Sequence, residues 1–243
     1  MRAFDPRLTP ARADLAARTL EGKVKAARYV DGRAYEVIEP QAPLRAEPAP
    51  DAPLSTEALK GEGVTIYDMN AEGWAWGQLA ADGYVGWLPS NALVPPGAPP
   101  THKVTALRTL AFPGPSIKLP PLEALPLGAR LDIVRIADRM AVTRAGAYVP
   151  AAHLAPLDIS EPDFVAVAER FLGAPVAAAM ALAKPTRGDL VFWKGHVAIV
   201  RDRATLIHAN AFHMAVAIEP VAAAIARIRA TGVDVASVRR IAA

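Results

Sequence analysis

Arg187-Gly188-Asp189-Leu190-Val191-Phe192-Trp193-Lys194-Gly195-His196-Val197-Ala198-Ile199-Val200 combines apolar alternation, a tight turn and a chemically useful histidine. Residues 190–193 and 196–200 read as strands, and Lys194-Gly195 between them supplies the glycine that a two-residue hairpin turn requires. A third strand is predicted over 205–210, after Asp202-Arg203, and it carries His208. If three residues connect the second and third strands, positions of equal parity share a face, which puts His196 opposite His208 or one diagonal step away. The two imidazoles are therefore expected to face each other.

On either side of this meander the pattern turns helical. Ser160 and Asp163 form a capping pair ahead of the stripe Phe164, Val167, Ala168 and Phe171, which Gly173 and Pro175 end. Residues 176–184 read as an alanine-rich helical run. Glu219-Pro220 starts a further helix, with Val221, Ile225 and Ile228 on one side and Gly232 at its end, and residues 235–241 close as a strand. Helix, meander, helix and strand make an α+β arrangement.

Gly188 to Trp193, then Gly195-His196-Val197-Ala198-Ile199, then Leu206-Ile207-His208-Ala209-Asn210 resemble the C-terminal half of an NlpC/P60 cysteine peptidase, a family that hydrolyses peptidoglycan stem peptides. The resemblance implies that His196 is the base and His208 the residue that orients it. It also implies a nucleophile on an Asp-Cys-Ser-Gly helix start, preceded by a Tyr-x-Trp-Gly-Gly loop. Neither motif is present, and the chain contains no cysteine. Between Pro175 and Arg187 several dozen residues of the family pattern are missing. Elsewhere the resemblance runs from about Asp5 to the C-terminus.

Upstream, residues 42–94 hold short alternating stretches over 64–67, 74–79 and 84–88, separated by glycine-bearing turns, which is a small β-barrel pattern. The order of turns and the ending Asp82-Gly83-Tyr84-Val85-Gly86-Trp87-Leu88-Pro89 resemble a bacterial SH3 domain. Residues 95–100 are a proline-rich linker. A second copy follows: Leu44-Arg45 recurs as Leu107-Arg108, and Trp87-Leu88-Pro89 as Tyr148-Val149-Pro150. That copy keeps only Tyr148 of the first copy's aromatics, so it reads as a spacer. At the N-terminus, Thr9-Pro10 and residues 11–21 read as a capped helix ended by Gly22, and 24–30 with 34–38 as strands joined through Asp31-Gly32.

The expected architecture is thus multidomain: an N-terminal helix and strands (1–41), SH3-like barrels over 42–94 and 101–157, and a truncated α+β papain-like domain over 158–243. With 52% hydrophobic residues the chain has ample material for packed cores. Lys+Arg 27 against Asp+Glu 24, scattered singly, argue against nucleic acid. No apolar run is long enough for a spanning helix and residues 1–20 lack a signal-peptide core, so no membrane and a cytoplasmic location are expected.

The chemistry follows from what is present. A cysteine peptidase needs a thiolate, a base within reach, and a group that fixes the tautomer of that base. Only the last two are offered. Thr186 is the only hydroxyl between Pro175 and Arg187, and it stands before a strand rather than at a helix start. Zinc lacks ligands, since only His213 lies near the pair, so neither a metal nor a cofactor is expected. The plain structural reading of His196 and His208 is a pair of half-buried strand residues. Trp74, Trp76, Tyr84 and Trp87 fit a barrel core and its rim. In related dipeptidyl-peptidases the first SH3-like domain restricts the cleft to short peptides, which makes Tyr84, Trp87 and Asp82 candidate peptide contacts. The expectation is a hydrolase homologue without turnover that retains weak affinity for murein stem peptides, with a dimer contact or exposed apolar patch near 176–182. The alternative is a protein-interaction or regulatory module built on the SH3-like barrels.

Overall fold

The computed structural model describes residues 4–172 and 187–239. The helical run over 176–184, the proposed contact at 176–182 and Thr186 lie outside the described residues. By internal contacts the chain divides into a unit Met1–Ile159 and a unit Ser160–Ala243. No helix among the described residues is long and apolar enough to cross a membrane.

The first unit is β-structure. A seven-stranded antiparallel sheet runs in the order Leu54–Leu59, Gln41–Arg45, Val85–Pro89, Trp74–Leu79, Gly63–Met69, Arg33–Val37, Leu93–Val94. Strand alternation sorts its side chains. Leu44, Val64, Ile66, Ala75, Leu79 and Leu88 point into one core, with Tyr84 packed against it. Trp76 and Trp87, paired directly across two strands, point the other way with Val85. Gly77 and Gly86 are also cross-strand partners. A Cβ on Gly77 would come 2.6 Å from the Thr65 carbonyl, and one on Gly86 2.6 Å from that of Arg45, so neighbouring backbones approach closely here.

The N-terminal segment is not the predicted helix. Its helical content is a 3-10 turn at Arg18–Leu20. Leu15, Ala16 and Ala17 are buried in succession, which a one-sided helix does not allow, and Ala16–Ala17 pairs in parallel with Tyr29–Val30. Backbone bonds from Ala16 N–H to Arg28 O and from Ala17 N–H to Pro10 O replace helical ones. Asp31-Gly32 is likewise not a hairpin turn. Arg33–Val37 leaves Tyr29–Val30 and joins the seven-stranded sheet, and Gly32 passes where a Cβ would lie 2.2 Å from Thr65 Cγ2.

One run of elements occurs twice in the first unit. Val85–Pro89, a 3-10 turn at Ser90–Ala92 and Leu93–Val94 recur as Tyr148–Pro150, a turn at Ala151–His153 and Leu154–Pro156. Both turns begin after a proline, Pro89 at φ −59° and Pro150 at φ −54°. Val104, Leu125, Leu131, Ile133 and Val149 pack around alanines in a separate core.

In the unit Ser160–Ala243 a five-stranded antiparallel sheet runs in the order Ala215–Pro220, Thr205–Asn210, His196–Val200, Leu190–Trp193, Ser237–Arg239. The strand Ala215–Pro220 is absent from the sequence reading. Helix α1, Phe164–Glu169, is capped by Asp163, whose Oδ1 accepts from the backbone N–H groups of Val165 and Ala166. Ser160 is therefore not the cap, and Val165 rather than Phe164 is the buried residue. Helix α2, Val221–Arg229, lays Ala224 and Ile228 on Val191, Trp193, Ala198, Val200 and Leu206.

Candidate active site

Two turns set the register of the meander. Trp193 pairs with His196 across Lys194-Gly195, with Gly195 at φ +90°, where glycine escapes the Cβ penalty. At the next turn Asp202 Oδ1 accepts from Ala204 and Thr205 N–H at 2.9 and 2.8 Å, and its Oδ2 accepts the Thr205 hydroxyl at 2.7 Å. This Asx turn holds Val200 opposite Leu206. Strand parity then carries His196 and His208 to one face, one diagonal step apart. Their ring centroids are 5.8 Å apart in a T-shaped arrangement.

The same face carries two residues whose roles the sequence did not disclose. Leu206 pairs with Glu219, so Glu219 projects beside His208. Glu219 is buried, and Arg227 of α2 donates to both its oxygens at 2.7 and 2.9 Å. His208 Nε2 stands 3.5 Å from Glu219 Oε2, and His213 Nδ1 3.3 Å from Oε1. Asn210, fully buried, accepts from the His213 backbone N–H and faces its Nδ1, both at 2.8 Å. Glu219 precedes Pro220 and so reads in sequence as a helix-start signal. The small apolar residues before it show no alternation to mark a strand.

Burial pulls the His196 pKa down to about 4, and a charge on His208 would lower it further. Burial also pulls His208 down to about 4, against the opposing pull of Glu219, which Arg227 offsets. Both imidazoles are neutral at pH 7, the state a general base requires. Among the described residues, His196 Nε2, both ring nitrogens of His208 and Asn210 Nδ2 are buried without a hydrogen-bond partner. Among the described residues no group of three or more His, Cys, Asp or Glu is arranged to hold a metal ion.

The three candidates Asp82, Tyr84 and Trp87 have separate environments. Asp82 is exposed and accepts from the Tyr84 N–H at 3.0 Å, while the Tyr84 ring leans on the barrel core. Trp87 is only 9% exposed. It lies under the N-terminal segment, where the Arg12 guanidinium sits 4.8 Å from its ring and 4.5 Å from that of Trp76. Arg12 also pairs with Asp68 at 2.6 Å and Asp14 at 2.8 Å. This segment thus occupies the aromatic face. Arg12→Ala is expected to lower stability by about 2 kcal/mol through two lost cation–π contacts and uncovered indoles, read from urea unfolding followed by tryptophan fluorescence. A loss below about 0.5 kcal/mol, the size of an ordinary surface change, would show that Arg12 does not hold the segment down.

Residues 44–93 match the family model described as the bacterial dipeptidyl-peptidase Sh3 domain. No curated protein matches the sequence. Among solved structures, an NlpC/P60 family protein from Bacillus cereus ATCC 10987 is similar with a TM-score of 0.63 at 19% identity, over 77% of this chain and 94% of that one. NlpC2 from Trichomonas vaginalis is similar with a TM-score of 0.36 at 12% identity, over 88% of this chain and 98% of that one. Residues 44–93 are therefore similar to the SH3 domain of bacterial dipeptidyl-peptidases, within a chain similar in fold to an NlpC/P60 family protein.

Proposed function

We propose that the chain is an NlpC/P60-type peptidoglycan peptide hydrolase homologue that binds murein stem peptides without turning them over. In this reading two SH3-like barrels precede a truncated papain-like domain, His196 stands at the base position and His208 at the orienting position, and no cysteine supplies the nucleophile. Placement in the cytoplasm, among released murein fragments, belongs to the same reading. The observation that carries it is the set of buried polar atoms without hydrogen-bond partners among the described residues, His196 Nε2, His208 Nδ1 and Nε2, and Asn210 Nδ2, on one sheet face. Each costs about 1–3 kcal/mol unless a partner arrives. A peptide amide offers both a donor and an acceptor to such a set. Asp82 and Tyr84 keep the role of peptide contacts in the proposal, whereas Arg12 already occupies the ring face of Trp87.

Titrating L-Ala-γ-D-Glu-diaminopimelate into the ¹⁵N-labelled chain tests this. Shifts should concentrate at His196, His208 and Asn210, with affinity weaker than micromolar because much of the family's substrate wall is missing. No shift at millimolar peptide would favour the interaction-module reading. That reading draws support from Ile117, Leu122 and Ile136, which are exposed in the stretch 101–157.

A further inference from the structure

We infer that Glu219 is a positioning residue for the histidine pair: clamped by Arg227, its carboxylate fixes His208 as the Nε2–H tautomer and His213 as the Nδ1–H tautomer. The assignment follows from donors and acceptors. Glu219 is surrounded by Arg227 from α2, His208 from the adjacent strand and His213 from the hairpin tip. An ionised carboxylate only accepts, so the imidazole nitrogen facing each oxygen carries the proton. For His213 a second acceptor agrees. Asn210 Oδ1 lies 2.8 Å from its Nδ1, and the Asn210 amide cannot be flipped, because the same oxygen accepts from the His213 backbone N–H.

With Nε2 of His208 turned toward Glu219 Oε2 at 3.5 Å, an electrostatic contact rather than a closed hydrogen bond, the lone pair falls on Nδ1; both nitrogens are buried and neither has a hydrogen-bond partner among the described residues. A neutral ring presenting that lone pair can accept a hydrogen bond within the buried face shared with His196. The opposite tautomer would aim a lone pair at the carboxylate 3.5 Å away. Glu219 thereby does for His208 what a buried carboxylate does for the imidazole of a hydrolytic triad, and it does so with or without a nucleophile in the chain. The inference rests on reading His196 and His208 as the site.

Long-range ¹H–¹⁵N correlation on the full chain with ¹⁵N-labelled histidine, at pH 7, tests it. His208 is expected as Nε2–H and His213 as Nδ1–H, each favoured about tenfold by the buried carboxylate charge beside it. In Glu219→Gln, which keeps the shape of the side chain, that preference at His208 should fall to near parity, while His102 and His153 of the other unit keep their signals. A purely structural role for Glu219 would leave the tautomers in place, and that result in a folded Glu219→Gln chain overturns the inference. If the variant does not fold, the native spectrum decides alone, because His208 found as Nδ1–H also overturns it. Hydrolysis of a stem peptide by the chain would sink the functional reading above and leave this assignment standing.

Discussion

Acidifying the chain from pH 7 to pH 4 is expected to cost residues 187–239 about 3 kcal/mol of stability, with most of the loss above the range where carboxylates titrate. His196 and His208 have native pKa values of about 4 against an ordinary 6.5. Between those limits the unfolded chain binds protons that the folded one refuses. Stability is therefore fully present above pH 6.5 and is lost as the pH falls towards 4. Two fully dry imidazoles would together lose about 6 kcal/mol over this window, and solvent screening around the half-buried His196 brings the figure down to about half. The lowered carboxyls of Asp163 and Asp202 act in the other window, since their contribution is lost only below their ordinary value of 3.8. Urea midpoints at pH 7, 5.5 and 4.5, read from the amide signals of Ala198 and Leu206, measure the slope. A chain carrying both His196→Gln and His208→Gln should show almost none. Equal stability at pH 7 and 4.5, or a slope that survives both substitutions, would mean that the imidazoles are not buried as described.

The meander was legible because local chemistry and tertiary demand agree in it. Gly195 accepts the positive φ that its two-residue turn needs, Asp202 closes the next turn on itself, and parity does the rest for His196 and His208. Glu219 was not legible. It ends a strand of small apolar residues, and an acid ahead of Pro220 looks like a helix start until its partners are seen. At the N-terminus a threonine cap and a proline promise a helix, but Leu15, Ala16 and Ala17 are all needed against the barrel, and burial of three successive residues outweighs propensity. Ser160 and Asp163 read as one capping pair, yet Asp163 is itself the cap of α1. Asp163 holds the position because its carboxylate also pairs with Arg187 at 2.6 Å. Trp76 and Trp87 pack together with Leu15 and Val85, and nothing in the sequence says that Arg12 is the residue that covers them.

The largest expected effect concerns turnover. Acyl transfer through a cysteine gains from splitting one difficult step into two, and the enzyme's share of that gain begins with a thiolate within reach of the base. Removing the nucleophile from a triad hydrolase costs on the order of 10⁶ in kcat, and what remains comes from binding and oxyanion stabilisation alone. Here His196 Nε2 has no hydrogen-bond partner among the described residues, and the chain holds no cysteine. Two neutral imidazoles can orient and accept a proton, but they supply no covalent route.

The measurement that bears on this most directly is release of L-Ala-γ-D-Glu from L-Ala-γ-D-Glu-diaminopimelate, followed by mass spectrometry over a long incubation with the native chain and with His196→Ala. The account predicts no release above a buffer blank in either; release by the native chain that disappears in His196→Ala would contradict it and would mean that another side chain serves as the nucleophile.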